Sequence, residues 1–300
     1  MADIVRSLQS LRGIDAQKDA PLAHHTTWKV GGPAELLVHA NDVSSLGVLL
    51  EIIREEELPL FVLGNGSNVL VSDRGLEGVT MRLGGEFNSI SVNGEKLMAG
   101  GGAPLGLVVG KALKASLEGF EFAVGIPGTV GGSVMTNAGA FSGSIAGVIA
   151  EVETVALNGE KTRHSDIEDS YRSRLVPGND IVTGAVFLLK SGPAGRIREI
   201  AESIMERRKT TQPWGMATAG SVFKNPPGDY AGRMIEECGL KGKRMGGARV
   251  SDTHANFITN DGTAKASDIK SLIDMVRGEV KARFGIELEL EIQLVGFDKE

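Results

Sequence analysis

The chain has one cysteine, Cys238, in 300 residues. This excludes intrachain disulfides and cysteine-rich zinc sites, and it fits a reducing compartment. Aromatic residues make up 5%, with two tryptophans and two tyrosines, too few for platforms on which bases stack. Lysine and arginine number 32 against 38 acidic residues, a net charge of −6. They form no long basic block, so neither a nucleic-acid partner nor an anionic membrane surface is expected. No apolar run approaches the ~18 residues of a membrane helix. Met1–Arg6 lacks the apolar core of a signal peptide, and a cytoplasmic protein is expected. The G-x-G-x-x-G, G-x-x-x-x-G-K-[ST], G-x-S-x-G and H-E-x-x-H motifs are all missing. Histidines 24, 25, 39, 164 and 254 show no ligand spacing, so no metal is expected.

Glycine is what the chain has in excess. It accounts for 41 of 300 residues, about twice the usual ~7%. Glycine and proline together stay below the ~25–30% of low-complexity chains, and the glycines cluster between apolar segments. That pattern belongs to a folded protein that brings backbone close to another group.

A strand-like stretch covers Trp28–Ala40, and a helix is predicted over 42–57 from Val43, Leu46, Leu50 and Ile53. Pro59–Leu63, a glycine turn and Val69–Val71 read as strand–turn–strand, unlike the strand–turn–helix of a Rossmann unit. Strands are expected at Val79–Leu83, Ser89–Val92, Val148–Leu157 and Ile181–Leu189, and a helix at Leu105–Leu117. After Gly192-Pro193 the composition changes. Helices follow to about Lys209, over Asp229–Cys238, and along Ile269, Leu272, Ile273, Val276 and Val280 after a Ser267 cap. A strand is expected near Asn256–Thr259, and a period-two strand, Glu287–Leu294, ends the chain. The expected organisation is α+β throughout. Residues 1–195 form a short N-terminal segment and two subdomains of a cofactor region, and residues 196–300 form a smaller domain.

Three loops carry candidate chemistry. Gly64-Asn65-Gly66-Ser67-Asn68 follows an apolar strand, so its N–H groups can converge on a phosphate; the alternative is a tight Asn-Gly hairpin. Gly125–Gly132 with Asn137-Ala138-Gly139 lets a diphosphate or a flat ring lie on bare backbone; the alternative is a long surface loop. Gly220–Pro227 brings Ser221, Lys224 and Asn225 together, or is a polar connector. Glu287, Glu289, Glu291 and Gln293 share one strand face, where a solvated edge is the default and periodicity does not choose among them. Arg172 beside Tyr171 reads equally well as surface.

Taken in order, these segments resemble the UDP-N-acetylenolpyruvoylglucosamine reductases (MurB), flavoenzymes of bacterial cell-wall synthesis. The resemblance runs from His25–Gly32 to Gly296. It joins Leu63–Asp73, Gly125–Ala140, Tyr171-Arg172-Ser173, Gly220–Pro226 and Leu290-Glu291-Ile292. It implies the FAD-binding fold of vanillyl-alcohol-oxidase/PCMH flavoproteins, with a C-terminal substrate domain at 196–300. It implies non-covalent FAD, NADPH as hydride donor, a UDP-sugar substrate, and a monomer or weak oligomer. Ser221 matches the family's proton donor, and Arg172 and Glu291 match the residues that polarise the substrate carboxylate. Tyr171, Lys224 and Asn225 match substrate-binding positions. FAD is expected at Gly64, Asn65, Gly66, Ser67, Asn68, Pro127, Gly128, Gly131, Gly132, Asn137, Ala138 and Gly139. Gln293 stands where many relatives place arginine. The short stretch after Arg172 resembles the subclass without an extra substrate-closing loop. The competing readings are another FAD-dependent oxidase or dehydrogenase of this fold, and a non-enzymatic flavin-binding protein.

Overall fold

Asp42 begins the first helix by a reciprocal cap. Its carboxylate accepts from the Ser45 N–H at 2.7 Å, and the Ser45 hydroxyl accepts from the Asp42 N–H at 3.1 Å. Two donors that a helix start leaves unpaired are thereby satisfied. Helix α1 then runs over Val43–Glu55 and buries Leu46, Leu49, Leu50 and Ile53. The computed structural model describes residues 4, 8, 9 and 11–297; part of the expected N-terminal segment lies outside the described residues.

The chain forms two compact units, both discontinuous. The first comprises Met1–Asp19, Glu35–Asn65 and Glu77–Glu206; the second comprises Ala20–Ala34, Gly66–Leu76 and Arg207–Glu300. This differs from the expected single cut at 195, because two early segments join the C-terminal unit. Neither segment carries a composition signal that would betray its partner.

In the first unit, strands β1 (Ile14–Pro21), β2 (Pro33–Ala40), β3 (Leu60–Val62) and β5 (Leu76–Leu83) form one sheet in the order β1-β2-β5-β3. Strand β4 (Val69–Val71) lies elsewhere. Strand β1 escapes pattern reading because Ala16–Asp19 is polar and only its ends, Ile14 and Ala20, are buried. The α1 stripe packs with Leu36, Val38, Val79 and Met81. A second, antiparallel sheet follows the order β9-β8-β10-β7-β6, built from β6 (Ile90–Asn93), β7 (Lys96–Gly100), β8 (Ile149–Val155), β9 (Lys161–His164) and β10 (Ile181–Leu188). Helices α2 (Leu105–Lys114) and α3 (Val130–Met135) cover its core. There Phe120 meets Phe187 edge-on at 4.9 Å. Helix α4 (Ala194–Thr211) carries the chain toward the second unit.

The second unit contains α5 (Ala231–Glu237), the antiparallel sheet β11-β12-β13 (Arg244–Met245, Ala248–Val250, Ile258–Asn260) and α6 (Ala266–Phe284). The α6 stripe Ile269, Leu272, Ile273, Val276 and Val280 is buried throughout, as its 3.6-residue spacing predicts. The cap is not Ser267, which lies inside the first turn. Asp73 accepts the N–H groups of Ala266 at 2.8 Å and Ser267 at 2.9 Å. Trp28 is wholly buried, its indole N–H donating to Ile258 O at 2.7 Å while its carbonyl accepts from Asn260 Nδ2 at 2.8 Å. The last strand is shorter than expected. Only β14 (Gln293–Val295) forms a ladder, parallel to β4.

Candidate functional site

The glycine loop at 64–68 is no hairpin. Strand β3 pairs with β5, whereas β4 pairs with β14, so the flanking strands belong to different sheets. The N–H groups of Gly64–Asn68 and the Ser67 hydroxyl find no protein acceptor among the described residues. Unspent donors on a half-buried loop suit the oxygens of a diphosphate, so these residues fit the FAD that the resemblance implies. Gly66 has φ 59°, and a Cβ there would sit 2.2 Å from the His25 carbonyl oxygen. No other residue fits that position.

Two asparagines leave this loop in different directions. Asn65 Nδ2 donates to Gly128 O at 3.2 Å, tying the loop to the second glycine segment within the first unit. Asn68 Nδ2 donates to the Glu291 carbonyl at 3.0 Å, and Asn68 O accepts from the Gln293 N–H at 2.9 Å. Asn68 is therefore an anchor for the C-terminal strand within the second unit, and only its N–H remains for an anion.

In the second glycine segment the protein uses much of the backbone itself. Val130 N–H donates to Ala103 O at 2.9 Å and Gly131 N–H to Gly101 O at 2.8 Å, while Thr129 Oγ1 accepts from the Gly132 N–H at 3.2 Å. A Cβ on Gly131 would lie 3.0 Å from Gly101 O, so its missing side chain makes room for a neighbouring strand and not for a ligand. Pro127 and Gly132 are exposed and Gly128 is half-buried. Asn137 is buried and fully engaged. Its Nδ2 donates to Asp169 Oδ1 and Ser170 O, each at 2.9 Å, and its Oδ1 accepts from the Ala146 N–H at 3.0 Å. Its amide has no group left for a cofactor. Ala138 N–H donates to Ser133 O, and its carbonyl accepts from the Ile145 N–H.

Arg172 belongs to the same unit, at φ 51°. Its Nη2 donates to Gly139 O at 2.6 Å and its Nη1 to Asn137 O at 3.4 Å, with the guanidinium 5.1 Å from the Tyr171 ring centroid. The arginine that read as surface is thus pinned to the second glycine segment. Tyr171 itself is 55% exposed.

The second unit brings Ser221, Lys224, Asn225 and Glu291 together on two short stretches. Phe223 bridges Leu290, Glu291 N–H donates to Val222 O at 2.8 Å, and Lys224 N–H donates to Glu289 O at 2.9 Å. The glutamates are now distinguishable. Glu287 pairs with Arg277 at 3.0 Å and Lys281 at 2.9 Å, and the Lys281 ammonium first, with Arg277, holds its carboxyl below the usual range. Glu289 pairs with Lys224 at 3.4 Å. Glu291 is fixed through its backbone, its N–H on Val222 and its carbonyl on Asn68. Asn225 Oδ1 accepts from the Ala231 N–H at 3.1 Å, which leaves Nδ2 to face a ligand.

Sequence reading places His254 and Asn256 in a segment similar to the family's, Ser251–Asn260, but gives Asn256 no role. Both ends of its buried amide bond the Phe223 backbone. The signal available was an asparagine at 256 inside an apolar run, a residue type rarely buried without partners.

A family model described as "UDP-N-acetylenolpyruvoylglucosamine reductase, C-terminal domain" matches residues 212–295, and one described as "FAD binding domain" matches residues 34–165. The chain is 44% identical over 299 residues to UDP-N-acetylenolpyruvoylglucosamine reductase 2 of Symbiobacterium thermophilum, covering 99% of this chain and 97% of that protein. It is 40% identical to the reductase of Halalkalibacterium halodurans over 99% of each chain. The crystal structure of UDP-N-acetylenolpyruvylglucosamine reductase (MurB) from Thermus caldophilus is similar with a TM-score of 0.82, at 37% identity over 94% of this chain and 98% of that one. An alkyldihydroxyacetonephosphate synthase, at 15% identity and a TM-score of 0.50 over 64% of this chain and 41% of that one, shares the fold alone.

Proposed function

From the premise that this chain belongs to the UDP-N-acetylenolpyruvoylglucosamine reductase family, with its α+β FAD-binding fold of the vanillyl-alcohol-oxidase/PCMH type, we infer how its own residues serve the family's reaction. The protein is an oxidoreductase that uses NADPH and FAD to reduce the enolpyruvyl group of UDP-N-acetylglucosamine enolpyruvate, giving UDP-N-acetylmuramate for peptidoglycan synthesis. FAD, when bound, would supply the hydride chemistry that links NADPH to the enolpyruvyl double bond. Hydride addition leaves negative charge beside the substrate carboxylate, and that charge needs stabilisation and then a proton.

Ser221 supplies the proton from Oγ. A serine hydroxyl is a weak acid, but a carbanion is a base strong enough to take its proton. Arg172 and Glu291 hold and polarise the substrate carboxylate as charge develops. Lys224 and the Asn225 Nδ2 face the UDP diphosphate, and Tyr171 lies at the substrate. The N–H groups of Gly64–Ser67, with the chain at Pro127, Gly128 and Gly132, hold FAD without a covalent link. Asn137, Ala138 and Gly139 contribute by shaping that segment and by anchoring Arg172. The protein works in the cytoplasm as a monomer or weak oligomer.

One observation supports these roles: the Glu291 N–H donates to Val222 O at 2.8 Å, so the chain directly after Ser221 runs beside that of Glu291. The test is anaerobic absorption spectroscopy of the purified protein. NADPH should bleach a yellow flavin, and the enolpyruvyl sugar nucleotide should restore it. Fast reoxidation by air without the sugar nucleotide would instead mark an oxidase of this fold, and no bleaching a non-enzymatic flavin protein.

A further inference from the structure

Ser221 sits between two backbone environments of opposite character. On its N-terminal side Gly220 has φ 80°, and a Cβ there would meet nothing within 4 Å. That side of the serine is conformationally permissive and unpacked. On its C-terminal side every polar group of the next two residues is held. Val222 N–H donates to Asn256 O at 2.8 Å, and Val222 O accepts from the Glu291 N–H. Phe223 N–H donates to Asn256 Oδ1 at 3.0 Å, and Phe223 O accepts from Asn256 Nδ2 at 2.8 Å. Three of the four groups are therefore satisfied by one residue, Asn256, which is 4% exposed.

An asparagine amide presents a donor and an acceptor side by side, as a strand backbone does. Here it completes a ladder that the main chain leaves incomplete, because residues 221 and 257 meet only in an isolated bridge. A leucine of similar size would leave a buried N–H and a buried C=O unpaired, at a cost of about 1–3 kcal/mol each. Asn256 is itself oriented, since its N–H donates to His254 Nδ1 at 3.3 Å and the His254 ring packs edge-on against Phe257 at 4.8 Å. The grip falls on the two peptides that directly follow the serine, and consecutive Cα atoms are only ~3.8 Å apart. Any rotation of those peptides swings the serine Cα–Cβ bond, and no side chain on Gly220 packs against the serine to oppose it.

We propose that Asn256 is a positioning residue that fixes the Ser221 hydroxyl, through the Val222–Phe223 backbone, in line with the carbon it protonates. Asn256 touches no reacting atom in this role and acts only through the serine. The proposal rests on the reading of Ser221 as proton donor.

The test uses full-length, FAD-loaded enzyme. Asn256→Asp keeps size and one acceptor but turns an oxygen toward the Phe223 carbonyl; Asn256→Ser removes the paired amide without bulk. Rapid-mixing flavin absorbance separates reduction by NADPH from reoxidation by UDP-N-acetylglucosamine enolpyruvate. Reduction should change by no more than about twofold, while reoxidation should slow about 10- to 100-fold, the loss that a misplacement of roughly 1 Å produces. The solvent deuterium isotope effect on reoxidation should rise, because proton transfer becomes more fully rate-limiting. The double variant Ser221→Ala/Asn256→Asp should be no slower than Ser221→Ala alone.

Equal slowing of both half-reactions with an unchanged isotope effect would overturn the proposal, as would losses that multiply in the double variant. Failure of both Asn256 variants to retain flavin would do the same, since the residue would then hold the unit together generally. A slow Ser221→Ala enzyme beside normal Asn256 variants sinks this proposal and spares the serine assignment. A normal Ser221→Ala enzyme sinks the serine assignment itself.

Discussion

Glu291 donates its backbone N–H to the carbonyl of Val222 at 2.8 Å, so the residue after Ser221 and a glutamate 69 positions further along share one backbone hydrogen bond. The backbone of one segment is thereby tied to that of the other. The separate contributions of the two residues to catalysis can still be resolved by half-reaction kinetics.

Ser221→Ala should fold, bind FAD and be reduced by NADPH almost as the unaltered protein is. Reoxidation by the enolpyruvyl substrate should fall by ~10²–10⁴-fold, the usual loss when a positioned general acid is removed. Ser221→Cys, which keeps a transferable proton, should recover part of the rate. Stopped-flow absorbance decides the matter: a variant slowed only in the NADPH step would falsify the donor role.

Glu291→Gln and Arg172→Ala should slow reoxidation, whereas Glu289→Gln should not. Glu289 is 78% exposed in its side chain and, among the described residues, pairs with Lys224, and such a pair contributes about 0.2–1 kcal/mol or less. Single-turnover rates for the three variants, measured beside their thermal midpoints, test the distinction. Equal losses at 289 and 291 would mean that the whole acidic face acts together.

Gly66→Ala forces a side chain into left-handed backbone, costing about 1–3 kcal/mol, and drives it into the His25 carbonyl. Its thermal midpoint should drop even without flavin, and FAD content on purification should drop with it. Gly131→Val should behave alike, because Gly101 O and Val182 O lie 3.0 and 3.4 Å from its Cβ position. A stable Gly131→Val protein lacking only FAD would show that this glycine faces the ligand after all.

Burial disfavours the charged ring of His254 and lowers its pKa from 6.5, with Lys241 adding to the effect and Glu236 opposing it. Between the lowered folded value and 6.5 the unfolded chain binds more protons than the folded one. Stability is therefore complete above 6.5 and declines as pH falls toward the folded value. Protonation would also remove the Nδ1 acceptor used by the Asn256 N–H. Urea midpoints from about pH 7.5 to about pH 5 should fall less steeply in His254→Gln than in the unaltered protein. Parallel slopes would exclude His254 as the cause.

Asp73→Ala should cost about 0.5–2 kcal/mol, the usual effect of losing a helix cap. Burial raises the Asp73 pKa, but the Ser267 and Ala266 N–H groups, the Ser267 hydroxyl and Lys265 outweigh it and leave a net lowering from 3.8. This contribution is present above 3.8 and disappears as pH falls through the folded value. Denaturant midpoints near pH 7 and near pH 3 should therefore differ less in Asp73→Ala than in the parent.

Local chemistry was readable in the chain. The α6 stripe and the apolar face of α1 follow from spacing within about twenty residues, whereas the serine-bearing loop was readable only through its resemblance to the family. Features that depend on distant pairing were not readable. Strand β1 is polar because its inward positions are few, and Asp73 caps a helix that begins 193 positions later. Asn256 reads as one more residue of an apolar run until Phe223 is set beside it. The alternation of Glu287–Gln293 suggested one continuous strand, yet the stretch before Gln293 meets residues 222–224 through one isolated bridge, Phe223 with Leu290, and the hydrogen bonds flanking it. Its three glutamates differ in partner and not in phase.

The parallel pairing of β4 with β14 has a consequence for biosynthesis. Val71 leaves the ribosome long before its partner Val295 has been made, and at ~5–20 residues per second that interval is roughly 10–45 s. Throughout it, the edge just downstream of the first glycine loop stays open to chaperones or to another nascent chain. Stop codons that remove only Gln293 and the residues after it should therefore leave a protein that captures flavin poorly and aggregates, although every glycine of both loops is intact.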